Sequence, residues 1–323
     1  MTDKRYYPEG TRISSAENAA YTASLEGLTK AMVQGKILEG IALVCDCSTM
    51  QLKVELGGAI GIMERQEAAY NVDGSAPKDI AIITRVGKPI CFKVIGIEQR
   101  GERPVVRLSR RAAQEECMRE YILSRYPGDI LPARVTHLEP FGAFVDIGCG
   151  IVSLLTVDCI SVSRISHPSD RFVPGDSIHV VVKGIDPLSG RVHLTHRELL
   201  GTWEENAALF SPTQTVSGIV RSLEPYGIFV ELTPNLAGLA DLREDVQVGD
   251  RCAVYIKSMV PERMKIKLVI IDAHAREISR RMRYFVDTSA VQHLDYWRYS
   301  PAGCGKRIET VFDPASVPAA EAL

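Results

Sequence analysis

A chain of 323 residues, 46% hydrophobic and 24% charged, carries enough apolar material for two or three packed domains. Its formal net charge of −2 excludes a globally basic nucleic-acid-binding protein, so any anion-binding surface has to be local. No stretch reaches the ~20 apolar residues of a membrane helix and no basic start precedes an apolar run, so the cytoplasm is the expected location. The eight cysteines are scattered, which in that compartment reads as free thiols rather than a disulfide framework. Cys45 and Cys47 form a close pair, but no second pair completes a four-thiolate zinc site.

In chain order, residues 1–24 read as an N-terminal extension. Leu25, Leu28 and Met32 then have helical spacing behind a serine-rich cap. They open a first unit over 25–111, in which "QGKILEGIALV" at 34–44, "MQLKVELGG" at 50–58, "VGKPICFKVIGIE" at 86–98 and "VVRLS" at 105–109 are strand-like. "AAQEECMREYILSR" predicts a linker helix over 112–125, ending before Pro127. A second unit at 126–200 contains "GDILPARV", "EPFGAFVDI", "PGDSIHVVVKGID" and "GRVHL". A third, at 201–271, repeats that order with "TVSGIV", "EPYGIFVEL", "VGDRCAVYIKSMV" and "MKIKL". The offset between these two units falls from 85 at the aromatic motif to 74 at the following Gly-Asp, so the second unit holds 11 extra residues around "SVSRISHPSD".

Residues 272–323 complete the chain. "IDAHAREISRRMRYF" has Ala275, Ile278, Met282 and Phe285 on one stripe and Arg276, Arg280, Arg281 and Arg283 largely elsewhere. This basic helix reads either as a solvated face or as a local phosphate-binding surface. "HLDYWRYS" is strand-like, and a mobile tail rich in Pro and Ala is expected after it. Short β-rich runs bounded by turn signals, repeated three times, predict all-β modules, each a small barrel or sandwich, with N-terminal, linker and C-terminal helices.

The duplicated motif carries the chemistry. Phe141 and Phe144, and again Tyr226 and Phe229, lie three residues apart with a glycine after the first ring. An isolated pair of this kind reads as core. Its repetition in the same strand order favours an exposed pair, with the glycine allowing a kink or bulge that brings both rings to one surface. Strands two and three of an OB barrel form its oligonucleotide-binding face, where flat rings stack on bases. No phosphate loop, zinc-hydrolase helix or nucleophile elbow occurs, and the carboxylates are dispersed, so no enzyme, catalytic residue, cofactor or metal site is expected. His193 and His196 in "HLTH" lack the partners of a zinc site and read as strand-surface residues.

Residues 128–194 resemble the S1 RNA-binding domain, an OB-fold family. The resemblance rests on "PGDILPARV", "PFGAFVDIGCG", "SLLTV", "VPGDSIHVVVKGID" and "SGRVHLTHRE". Residues 213–268 resemble it in shorter form, and 35–109 more distantly, so the resemblance implies three tandem five-stranded β-barrels of the OB type. A chain of such modules is similar to the short, three-module homologues of bacterial ribosomal protein S1. The resemblance implies base stacking by Phe141, Phe144, Tyr226 and Phe229. It also implies RNA contacts at Thr156, which replaces a histidine frequent in the family, at the Asp186–Arg191 pair, and at Lys265, whose acidic partner is here Val260. Asp241 takes the histidine place in the third unit. Met50, Lys53 and Glu64 stand at the ring and histidine positions of the first, which is expected to bind RNA poorly and to dock on protein. The implied function is single-stranded RNA binding, of mRNA, in translation at the small ribosomal subunit. The alternatives are an RNA-regulatory or decay-associated role and an adaptor whose barrels contact protein.

Overall fold

Alternation along each strand-like run puts every second side chain inside, and three five-stranded sheets result. The structure, a computed structural model, describes residues 6–57, 59–100, 103–186, 188–273 and 282–316. The first sheet comprises β1 (Leu38–Asp46), β2 (Gln51–Leu56), β3 (Ala59–Met63), β4 (Pro89–Arg100) and β5 (Arg103–Ser109). In β2, Leu52, Val54 and Leu56 point inward while Lys53 and Glu55 are exposed. The barrel closes in the order β1-β2-β3-β5-β4, with β3 and β5 parallel. Two helices precede it, α1 (Ala16–Thr22) and α2 (Leu25–Gln34). The hydroxyls of Ser15 and Ser24 accept from the third backbone N–H of each helix, as N-caps do. A further short helix, α3 (Asp79–Ile83), lies in the long β3–β4 connection.

The linker helix, α4 (Arg110–Cys117), begins two residues earlier than the sequence suggests and continues as a single π-helical turn over Met118–Ile122. It is no free spacer. Ala113, Cys117, Tyr121 and Ile122 are buried in the core of the central barrel. That barrel comprises β6 (Ile130–Glu139), β7 (Gly142–Asp146), β8 (Val152–Thr156), β9 (Ser177–Ile185) and β10 (Val192–Thr195), in the order β10-β9-β6-β7-β8. It lacks the parallel ladder that closes the first barrel; at that seam the Ser153 hydroxyl donates to the Val192 carbonyl at 2.6 Å. After α5 (Trp203–Ala207), the third barrel is built from β11 (Thr215–Glu224), β12 (Gly227–Thr233), β13 (Leu236–Ala240), β14 (Arg251–Val260) and β15 (Lys265–Asp272). It closes in the same order as the first. The expected three five-stranded OB-type units are therefore present.

Polar joints connect them. Arg110 donates through Nε and Nη2 to the two Glu9 oxygens at 2.6 and 3.0 Å. Glu9 also receives the Cys91 N–H of the first barrel, and its own N–H goes to Asp146 of the central one. The 11-residue insertion reaches the third barrel, where Arg171 pairs with Glu231 at 2.6 Å and Asp170 with Arg221 at 2.8 Å.

The strand expected in "HLDYWRYS" is present, whereas the stretch after it departs from the expected mobile tail. Ile130 N–H donates to Gln292 and Leu294 N–H to Gly128, tying residues 292–294 to the central barrel. A ribbon of β16 (Tyr296–Arg298) and β17 (Glu309–Val311) buries Trp297 with the third core, and Phe312 packs with Ile130 and Val181. Apolar anchors missed in a Pro- and Ala-rich stretch hold it down as far as Ser316. The expected basic helix falls largely on 274–281, outside the described residues.

Candidate nucleic-acid interface

Both ring pairs are displayed on the surface. Phe141 and Tyr226 are 54% and 67% exposed, and Phe144 and Phe229 are half-buried beside them. The centroids lie 6.0 Å apart at 88° in the central barrel and 6.2 Å apart at 90° in the third. Edge-to-face contact holds the inner ring in place and leaves ring surface open to stack on a base.

The glycine works differently from the expected bulge. Phe141 and Tyr226 occupy the turn before the strand, and the β-bulge lies on the opposite strand, between Val135 and His137 and between Val220 and Ser222. A Cβ on Gly142 would lie 2.5 Å from the Leu155 carbonyl oxygen, and one on Gly227 2.6 Å from that of Ala240. Glycine is needed there because the third strand of each barrel passes too close for any side chain.

Register places equivalent residues of the three barrels in matching rows. In the third, Ser222 faces Phe229, Phe229 faces Leu239 and Leu239 faces Lys267. In the central barrel His137 faces Phe144 and Phe144 faces Leu154, with exposed His193 at the position of Lys267. In the first barrel the row is Val44, Lys53, Ile62 and Arg107. Lys53 thus stands where Phe144 and Phe229 stand, while Met50 packs partly against its own barrel's core. Arg107 is 3.8 Å from Glu64 and 3.6 Å from Glu98, so its charge is largely compensated.

The remaining sequence-predicted residues divide. Arg191 and Lys265 are exposed and form no ion pair among the described residues, although Arg191 interacts electrostatically with Asp186, so both can meet a phosphate. Asp186 is committed to its own turn: it accepts from Ser189 Oγ at 2.5 Å and Leu188 N at 3.0 Å. Those bonds hold its carboxyl below the usual range, so it shapes the turn that presents Arg191. Thr156 lies beside Gly142, and its hydroxyl is bonded to Asp158, whose carboxyl it holds low.

His137 was not singled out in the sequence. Its ring stacks on Phe144 at 6.2 Å and 26°, and Nε2 lies 2.6 Å from Glu139. It extends the central pair to three rings. His196 corrects an expectation: it is fully buried, not on the strand surface, with Nδ1 2.9 Å from the Ile160 carbonyl and Nε2 3.2 Å from Tyr284 Oη. Burial pushes its pKa down to about 4. Among the described residues no three His, Cys, Asp or Glu side chains converge as metal ligands, and no helix is long and apolar enough to cross a membrane.

Residues 126–197 match the family model described as S1 RNA binding domain. That match takes in the whole central barrel. The chain is also similar to the small ribosomal subunit protein bS1 homolog of Bacillus subtilis, 29% identical over 220 residues, covering 66% of this chain and 56% of that protein. Similarity to the small ribosomal subunit protein bS1 of Pseudomonas aeruginosa extends over 273 residues at 28% identity, 80% of this chain and 47% of that one. The chain therefore spans about half the length of these curated relatives. A solved multidomain protein with nucleic acid binding domains from Streptococcus pneumoniae aligns over 76% of this chain and 75% of its own at 13% identity, with a TM-score of 0.24.

Proposed function

We propose that this chain binds single-stranded RNA, holding mRNA at or near the small ribosomal subunit in the cytoplasm. One observation carries the reading: two barrels, one of them matching the S1 family model, expose an edge-to-face ring pair at register-equivalent positions, and each also carries an exposed cation, Arg191 or Lys265, that forms no ion pair among the described residues. Stacking supplies sequence-tolerant affinity of roughly 1–3 kcal/mol per base, and the cations hold the backbone. The similarity to bS1 proteins supports the setting in translation. The first barrel, with Lys53 in place of a ring and Arg107 neutralised, is assigned no base-stacking role. Crosslinking in cells, scored for bound RNA and for co-sedimentation with the small subunit, tests the proposal. RNA crosslinks that co-sediment are expected. Partners that persist after nuclease treatment, without RNA crosslinks, would support a protein adaptor instead.

A further inference from the structure

A groove of about 710 Å³ opens beside the central ring pair. One wall belongs to the central barrel, with Phe144, Arg191 and His193. The other belongs to the β3–β4 connection of the first barrel, with Tyr70 and Arg85, and the linker helix contributes Gln114. The walls are fixed to each other: Tyr70 N–H donates to Gln114 Oε1 at 2.9 Å, and Val72 comes within 3.5 Å of a Cβ placed on Gly190, in the turn that presents Arg191. The first barrel, which lacks the exposed ring pair, thus completes a surface belonging to its neighbour.

The electrostatics of the groove point to an anion. None of the described residues lining it is Asp or Glu, whereas arginines line both walls. Arg191 is exposed and forms no ion pair among the described residues, with Asp186 acting on it only electrostatically. Arg85 has one carboxylate partner, Glu9 at 3.7 Å, which already accepts two bonds from Arg110 at 2.6 and 3.0 Å. Arg85 Nε is buried with no hydrogen-bond partner. Burial, followed by repulsion from Arg110, works against its charge more than Glu9 and Asp146 support it, so an anion in the groove would stabilise that charge.

We infer that single-stranded RNA stacked on Phe141 and Phe144 continues into this groove, where Arg85 and Arg191 hold its phosphates and the first barrel serves as the second wall of the central barrel's site. The inference rests on the RNA-binding reading proposed above and adds a strand path and a role for the first barrel.

The test uses the full chain and two oligouridines, one of about four nucleotides, enough for the rings, and one of about twelve. Arg85→Gln should weaken the longer RNA by about three- to tenfold, reduce the slope of log affinity against log salt by about 0.7, and leave the shorter one unchanged. Val72→Glu, at an exposed lip where folding is not at stake, should weaken the longer RNA similarly, whereas Val72→Gln should not. Phe141→Ala should weaken both lengths. If Phe141→Ala weakens both while Arg85→Gln and Val72→Glu leave the longer RNA and its salt slope unchanged, the groove is overturned and the ring site stands. A groove that served a protein partner would give that same result. If Phe141→Ala leaves both lengths unaffected, the ring reading itself falls, and the strand path with it.

Discussion

Phe144 and Phe229 each hold an outer ring edge-on, and the central barrel adds a third ring from His137. The two pairs were legible in the sequence because the same nine-residue frame occurs twice. His137 was not, because its place beside Phe144 depends on a bulge in the preceding strand that shifts the register by one residue. Removing it tests that assignment. His137→Ala should weaken single-stranded RNA binding several-fold, an effect on the order of 1 kcal/mol, without lowering thermal stability. The substitution Ser222→Ala at the matching place in the third barrel should have no effect. Equal losses at the two positions would show that His137 contributes nothing special to the row. Asp186 and Thr156, contacts that the family resemblance implies, have polar atoms bonded within the turn and to Asp158, and Thr156 lines the groove beside Phe144.

The strands themselves were read with fair accuracy, because each alternates inward apolar and outward polar residues with Gly, Pro or Asp at its ends. What local pattern did not show was closure. The central barrel has a seam bridged by Ser153 where the first and third barrels have a parallel ladder, and no property of the strand sequences distinguishes the two cases. The π-helical turn at Met118–Ile122 was hidden for the same reason: burial of Tyr121 and Ile122 against another element sets it. The glycine of the motif belongs to this scale too, since what it avoids is a neighbouring strand. Gly142→Ala should destabilise the chain by about 1–3 kcal/mol, read as a lower denaturation midpoint, because its Cβ would meet backbone that has little freedom to move. Gly184→Ala, with open space around it, should stay within about 1 kcal/mol of the parent. Equal midpoints for the two variants would remove the steric account of the motif.

Across the molecule, a buried charged cluster joins the N-terminal segment, the first barrel, the linker helix and the central barrel. Burial alone would raise the Glu9 carboxyl, but Arg110 and the Cys91 N–H hold it below its usual range. Glu39 goes the other way. Buried, and repelled by Glu9 against the help of the Arg12 N–H, it is raised to about 7. A carboxyl raised on folding contributes stability that is fully present below about pH 4.5 and lost as pH rises through about 7. Asp146, pushed up by burial and by Glu9, acts with the same sign, while Glu9 loses its contribution as pH falls. Glu39→Gln removes one such group. Relative to the parent its stability should therefore increase between about pH 5 and pH 8, by on the order of 2–3 kcal/mol, in paired denaturation curves. A difference that stays flat with pH would show that Glu39 is ionised throughout. None of this cluster was legible in the sequence, since its members are spread from Glu9 to Asp146 and meet only through packing.

The central claim is that exposed rings on two barrels read single-stranded RNA. It is tested most directly by titrating unstructured RNA into the parent chain and into a variant with both Phe141→Ala and Phe144→Ala, after checking that the variant melts as the parent does. Loss of two stacking surfaces at roughly 1–3 kcal/mol each should weaken binding at the central barrel by at least tenfold. Unchanged affinity with the fold intact would contradict the account.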